Sequence, residues 1–254
     1  MLDTLQFHLQ LSASSLAFAA LVVLVAGMLR GFSGFGLSAL VMAGLALLIP
    51  PIALIPVCFL LELVSGAVMF RGGLAEADRP LVIALVVGTA VGMPIGLAAT
   101  HGLPPETSRL VALLLILFLA ALQMFKLSPA FLGSKKSVYL AGLFAGMVTG
   151  LASIGGMVVA LYILSLRVSA REVRASLVLY LFVSMAVSAF WLLSTGTLDT
   201  LAFKRGLLLA PMVVLGVFIG TWLFRPSLEP FYKRFCLFML MSLAGFGLFR
   251  LLVL

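Results

Sequence analysis

Ten apolar runs, separated by short polar gaps, fill most of this 254-residue chain; they lie near 16–30, 37–49, 53–70, 81–99, 110–125, 138–151, 157–166, 176–194, 206–223 and 236–252. The gaps hold turn formers and charges: Pro50-Pro51, RGGLAEADR at 71–79, HGLPPETSR at 101–109, KLSPAFLGSKK at 126–136, RVSAREVR at 167–174 and FRPSLEPFYKR at 224–234. A membrane-spanning strand alternates polarity over about 10 residues, whereas these runs stay apolar throughout, which excludes a barrel. The pattern predicts an all-α polytopic membrane protein.

Composition strengthens that reading and narrows the partners. Hydrophobic residues make up 64% of the chain and charged ones 9%, far outside the range of water-soluble domains. The net charge of +8 would suggest nucleic acid in a soluble protein. Here the basic residues cluster in the gaps, as anchors of a chain whose partner is the lipid bilayer, so nucleic-acid binding is not expected. The first run carries Asp3 and no basic flank, so it is expected to stay as part of the mature chain rather than be cleaved as a signal peptide. Cys58 and Cys236, both within apolar runs, are expected to pack as small hydrophobic residues.

The chain repeats itself. AGMLRGFSGFGLSA at 26–39 aligns without gaps on AGMVTGLASIGGMV at 145–158, pairing Ala26, Gly27, Met28, Gly31 and Gly36 with Ala145, Gly146, Met147, Gly150 and Gly155 at an offset of 119 residues. GMPIG at 92–96 matches GVFIG at 216–220 at an offset of 124. Two repeats follow, 1–134 and 135–254. Each is predicted to hold one broken hairpin and three spans: 16–49 with 53–70, 81–99 and 110–125, then 138–166 with 176–194, 206–223 and 236–252. Glycine-interrupted segments at corresponding places in two halves point to a transporter site near the bilayer midplane.

Charge decides how the broken segments lie. If each half had its broken segment as a single span, eight basic residues would fall on one side and seven on the other. If each is a hairpin that enters and leaves by one side, only Arg109, Lys204, Arg205 and Arg250 stay on the side of the N-terminus. Arg71, Arg79, Lys126, Lys135, Lys136, Arg167, Arg171, Arg174, Arg225, Lys233 and Arg234 then fall opposite, with Arg30 inside the first hairpin. The positive-inside rule selects the hairpins and puts both termini outside the cytoplasm of a bacterial-type inner membrane. One hairpin plus three spans is an odd number of crossings, so the repeats are inverted. Arms of 10 to 15 residues, about 15 to 22 Å, fall short of the roughly 30 Å core and are predicted to be re-entrant or steeply slanted.

Helices broken inside a bilayer expose backbone groups, which is tolerable only around a buried or wet cavity. The arms beginning near Leu37 and Met157 would aim their N-termini inward, each worth about half a positive charge with free N–H donors. Such an arrangement binds anions. The expected substrate-binding set is Arg30, Gly31, Ser33, Gly34, Gly36, Ser38, Thr149, Ser153, Gly155 and Gly156, with the glycines also explicable as close helix packing.

The paired motifs RGFSGFGLSAL at 30–40 and GLASIGGMVVALYIL at 150–164, in a chain of two similar halves, resemble those of the TauE/SafE family of permeases, the sulfite exporters. The resemblance spans essentially the whole chain. It implies inverted repeats and transport of a small anion such as sulfite, thiosulfate, sulfoacetate or another organic anion. The chain departs from the family pattern at Met157, where a third glycine is common, and at Ala43 and Ala160, near which a proline is often found.

Two charges in apolar surroundings stand out. Arg30 either binds the anion or snorkels toward the membrane surface, and its repeat counterpart is Thr149. Glu62 is the one acidic residue inside a predicted span, a proton carrier or the partner that neutralises Arg30. Ser176, opening the next span, is a further candidate contact. Gly31-Phe32-Ser33-Gly34 also matches the G-x-S-G of rhomboid intramembrane proteases, with His101 as a base, but Ala152 and Arg225 stand at the repeat-equivalent places, so a dyad leaves half the chain unexplained. An anion channel is the other alternative. No metal-ligand cluster, phosphate loop or dinucleotide fingerprint occurs, and the expectation is a transporter without cofactor, not an enzyme, with possible proton coupling and an oligomeric state the sequence leaves open.

Overall fold

The computed structural model describes residues 12–69, 76–125, 137–166, 169–223 and 229–253. Among them are ten α-helices: α1 (Ala13–Ser33), α2 (Leu37–Leu45), α3 (Pro51–Met69), α4 (Arg79–Gly102), α5 (Pro105–Met124), α6 (Val138–Ala152), α7 (Gly155–Ser165), α8 (Ala170–Ser194), α9 (Thr200–Trp222) and α10 (Glu229–Val253). No strand occurs among the described residues. Six helices, α1, α3, α4, α5, α8 and α9, are long and apolar enough to cross a bilayer. Their outward faces carry exposed Phe118, Phe144, Phe190, Phe218 and Trp222, a surface suited to lipid rather than water.

Each apolar run becomes one helix, and the caps show why it starts where it does. Asp78 and Asp199 accept hydrogen bonds from Leu81 N and Ala202 N, at 3.0 and 2.7 Å, and so start α4 and α9. The first hairpin breaks later than the hydropathy pattern suggests. Arg30, Gly31, Phe32 and Ser33 remain helical, and the chain turns only at Gly34, whose φ of 83° is left-handed. The first arm therefore has 21 residues instead of 15, about 31 Å, enough to span by length. The other three arms, of 9, 15 and 11 residues, are short as expected. Of the basic residues that set the expected orientation, Arg71, Lys126, Lys135, Lys136, Arg167 and Arg225 lie outside the described residues.

The halves are interwoven rather than side by side. The first arm of each hairpin packs most extensively on the other half's long glycine helix, α1 on α9 and α6 on α4. Both pairs run parallel: Gly27 meets Val213 and Gly216 while Gly31 meets Val217 and Thr221, and Gly88, Gly92 and Gly96 meet Tyr139, Leu143 and Met147 in turn. Backbone rests on backbone here. A Cβ on Gly31 would lie 2.3 Å from Val217 O, and one on Gly92 2.0 Å from Leu143 O. In lipid no hydrophobic gain drives helices together, so such contacts hold by dispersion and by bonds like Thr100 Oγ1 to Gly150 O, 2.9 Å. α3 and α8 run in opposed directions, with Gly66 beside Phe182 and Asp78, just past α3, beside Ser176 near the start of α8. The two breaks come to face a common space.

Candidate functional site

Each break is a short left-handed turn. In the first, Gly34 and Gly36 take φ of 83° and 90°, and α2 begins at Leu37. In the second, the position 119 residues on from Gly34 is Ser153, the one non-glycine among the described residues with positive φ, at 58°. An L-residue held there costs on the order of 1 kcal/mol, a strain that clusters at functional sites. Beyond it α7 opens with Gly155 and Gly156, which keep its first turn free of side chains.

Between the turns lies a cavity with about 40 Å³ open to the centres of water-sized molecules, room for roughly three waters or one small anion. The first turn contributes Gly36 and Ser38, the second Thr149, Ser153, Gly155 and Gly156. Glu62 and Phe59 of α3, Met93 of α4, and Tyr180, Ser184 and Ser188 of α8 complete its walls. Glu62, Met93 and Leu181 each fall in the middle third of a long helix. The cavity extends toward the start of α3, at Ile55, and the end of α8, at Leu192. On the opposite side Asp78 N donates to Ser176 Oγ at 3.0 Å, tying the entry of α4 to α8.

The charges behind the first turn are paired. Arg30 Nη2 lies 3.3 Å from Glu62 Oε2, and Nη1 donates to Gly34 O. Glu62 Oε1 in turn accepts from Ser38 Oγ at 2.9 Å and from Ser38 N at 3.4 Å. Arg30 is 1% exposed and stays out of the cavity wall, while Glu62 is part of it. Of the two roles the sequence allows for Arg30, ligand or anchor, the geometry supplies neither: it is the countercharge of Glu62. Burying both ions is tolerable because each offsets the other and the C-terminal carbonyls of α1 favour a cation.

Several expected ligands do other work. Gly31 is spent on the α1 and α9 contact, and Gly34 makes the turn and accepts from Arg30. Ser33 Oγ donates back to Leu29 O, 2.8 Å, and lies 2.7 Å from Phe35 O, without reaching the cavity. Thr149 lines the cavity while its Oγ1 donates to Ala145 O, 2.7 Å. His101 sits beside Leu97 O and Thr197, so no dyad with Ser33 exists. Ser184 and Ser188 escaped the sequence reading; one turn apart on a helix face with Leu181 and Leu192, they read as ordinary polar positions in a span until α8 is set against the turns.

Comparison with known proteins bears on this site. The sequence profile of the family described as "Sulfite exporter TauE/SafE" matches residues 19–247. The chain is 26% identical over 211 residues to the probable sulfite/organosulfonate exporter TauE of Cupriavidus necator, a similarity covering 80% of this chain and 81% of that protein. No solved structure matches.

Proposed function

The chain belongs to the sulfite exporter TauE/SafE family, whose members are transporters and not enzymes, and on that premise we propose that it is a secondary transporter of a small sulfur-containing or organic anion, working by alternating access at the cavity between the two turns. The observation that carries the reading is the convergence of the α2 and α7 N-termini on one cavity walled by hydroxyls at mid-helix depth. Two half-helix ends aimed inward supply fixed N–H donors and partial positive charge where a desolvated anion needs them. Such donors satisfy an oxyanion without a resident metal or cofactor. They also explain why broken helices are tolerated within lipid.

The repeats are inverted in this reading. It is supported by the opposed directions of α3 and α8, which are equivalent in sequence, and by the reciprocal pairing of α1 with α9 and α6 with α4. With both termini outside the cytoplasm of an inner membrane, the cavity opens outward and the Asp78 and Ser176 contact closes the cytoplasmic side. Exchange between this form and its mirror, with the pseudo-equivalent contacts swapped, moves the anion across. Glu62, in the wall and charge-balanced by Arg30, is the group that would couple transport to protons.

Counterflow in proteoliposomes tests the reading. Protein reconstituted with internal sulfite, thiosulfate, sulfoacetate or a small carboxylate is expected to accumulate the labelled external anion for at least one sulfur oxyanion. Absence of exchange for every member of the panel would overturn it.

A further inference from the structure

The two turns look alike in sequence but differ in what sits on them. At α2 the second residue, Ser38, gives its N–H and hydroxyl to Glu62, so that helix end is capped by a carboxylate of the protein itself. The position 119 residues beyond Glu62 is Leu181. Its side chain lies against Gly156, the second residue of α7, where an added Cβ would stand 3.1 Å from Leu181 Cδ2. Independent bonds set the same register: Ser65 Oγ donates to Glu62 O and Ser184 Oγ to Leu181 O, both at 3.0 Å. The end of the 11-residue α7 therefore carries the same half positive charge as α2 and, among the described residues, no carboxylate.

A hydroxyl waits in the same cavity. Ser188 on α8 lines the wall, is 5% exposed, and has no hydrogen-bond partner among the described residues. Buried hydroxyls nearly always have one, and an oxyanion in the cavity would supply it. No Lys, Arg or His lines the cavity among the described residues, and Arg30 is already matched by Glu62. Neutral donors alone must then hold the anion. Desolvation cost grows with the square of charge, so a site of neutral donors accepts a single negative charge far more readily than two.

We propose that the transported anion seats asymmetrically, against the N-terminus of α7 with Ser153 and Ser188, and that the site selects monoanionic sulfonates or hydrogen sulfite over dianions. Glu62 is its counterpart at α2, a tethered anion that fills the equivalent place. The proposal rests on the transport reading above and adds to it which turn holds substrate and which charge state is taken.

The experiment is half-saturation in counterflow by the full chain in proteoliposomes, with methanesulfonate as monoanion and sulfate as dianion. Wild type is expected to exchange methanesulfonate at least tenfold more readily than sulfate. Ser188→Ala is expected to raise half-saturation for methanesulfonate roughly tenfold, the usual worth of a bond to a charged group. Glu62→Gln, which leaves Arg30 unbalanced, tightens binding and narrows the preference against sulfate. Leu181→Glu, placing a second tethered carboxylate at Gly156, is expected to bind at least tenfold more weakly than its neutral match Leu181→Gln. Unchanged half-saturation in Ser188→Ala, lost binding in Glu62→Gln, or equal use of sulfate by wild type overturns the seat while leaving transport standing. A wild type that exchanges no sulfur anion overturns the transport reading itself. Should Leu181→Glu fail to give monodisperse protein, the Ser188→Ala and Glu62→Gln results decide.

Discussion

Arg30 and Glu62 form an ion pair, Nη2 to Oε2 at 3.3 Å, in which both partners are almost wholly buried but only the carboxylate reaches the cavity. The pair carries one residue from the first hairpin and one from the helix after it, so the geometry of the first turn and the polarity of the cavity wall depend on each other. Arg30 Nε and Glu62 Oε2 have no hydrogen-bond partner among the described residues, which makes their mutual attraction the main compensation for burial.

Removing one partner should therefore hurt far more than removing both. Arg30→Met is expected to lower stability by roughly 3 to 5 kcal/mol, because it strands the Glu62 charge. The double variant Arg30→Met, Glu62→Met should recover most of that loss. Thermal melting followed by size-exclusion in detergent reads the difference; additive losses would show that the two charges are not energetically paired.

Coupling and binding separate at Glu62. In Glu62→Gln, flux driven by an imposed pH gradient is expected to vanish while counterflow, which needs no net driving force, persists. Measurement of both in the same vesicles decides, and a variant that still answers to the pH gradient removes Glu62 from proton transfer.

The glycines divide into two kinds, and alanine distinguishes them. Gly92→Ala or Gly31→Ala pushes a Cβ into the carbonyl of a facing helix and should cost about 3 kcal/mol or more, seen as lost folded protein. Gly102→Ala, where an added Cβ meets nothing within 4 Å, should leave folding unaffected. Intact Gly31→Ala protein with weakened substrate binding would instead return Gly31 to the site.

Closure on the Asp78 side is open to direct test. With Cys58 and Cys236 replaced by alanine, a disulfide between Asp78→Cys and Ser176→Cys should hold α4 against α8 and bring counterflow to background, with recovery on adding dithiothreitol. Full transport by the crosslinked protein would rule out opening at that contact.

Much of this molecule is written in one dimension. Ten apolar runs, the glycines that interrupt two of them and the 119-residue repeat determine the helices, their breaks and the correspondence of the halves, because hydropathy, helix length and left-handed turns are local properties. The family followed from the same motifs, and the profile match over residues 19–247 agrees. What only the tertiary structure decided is direction. Gly31 and Gly36 belong to one motif, yet the first faces α9 and the second the cavity; Ser33 turns back on its own helix while Ser188, in an unremarkable span, faces the opening. Arg30, uncertain between ligand and anchor in sequence, is assigned by a carboxylate 32 residues away in the chain and 3.3 Å away in space. Which face of a helix looks inward is set by the neighbours it packs on, and here those neighbours come from the opposite repeat, beyond the reach of any local pattern.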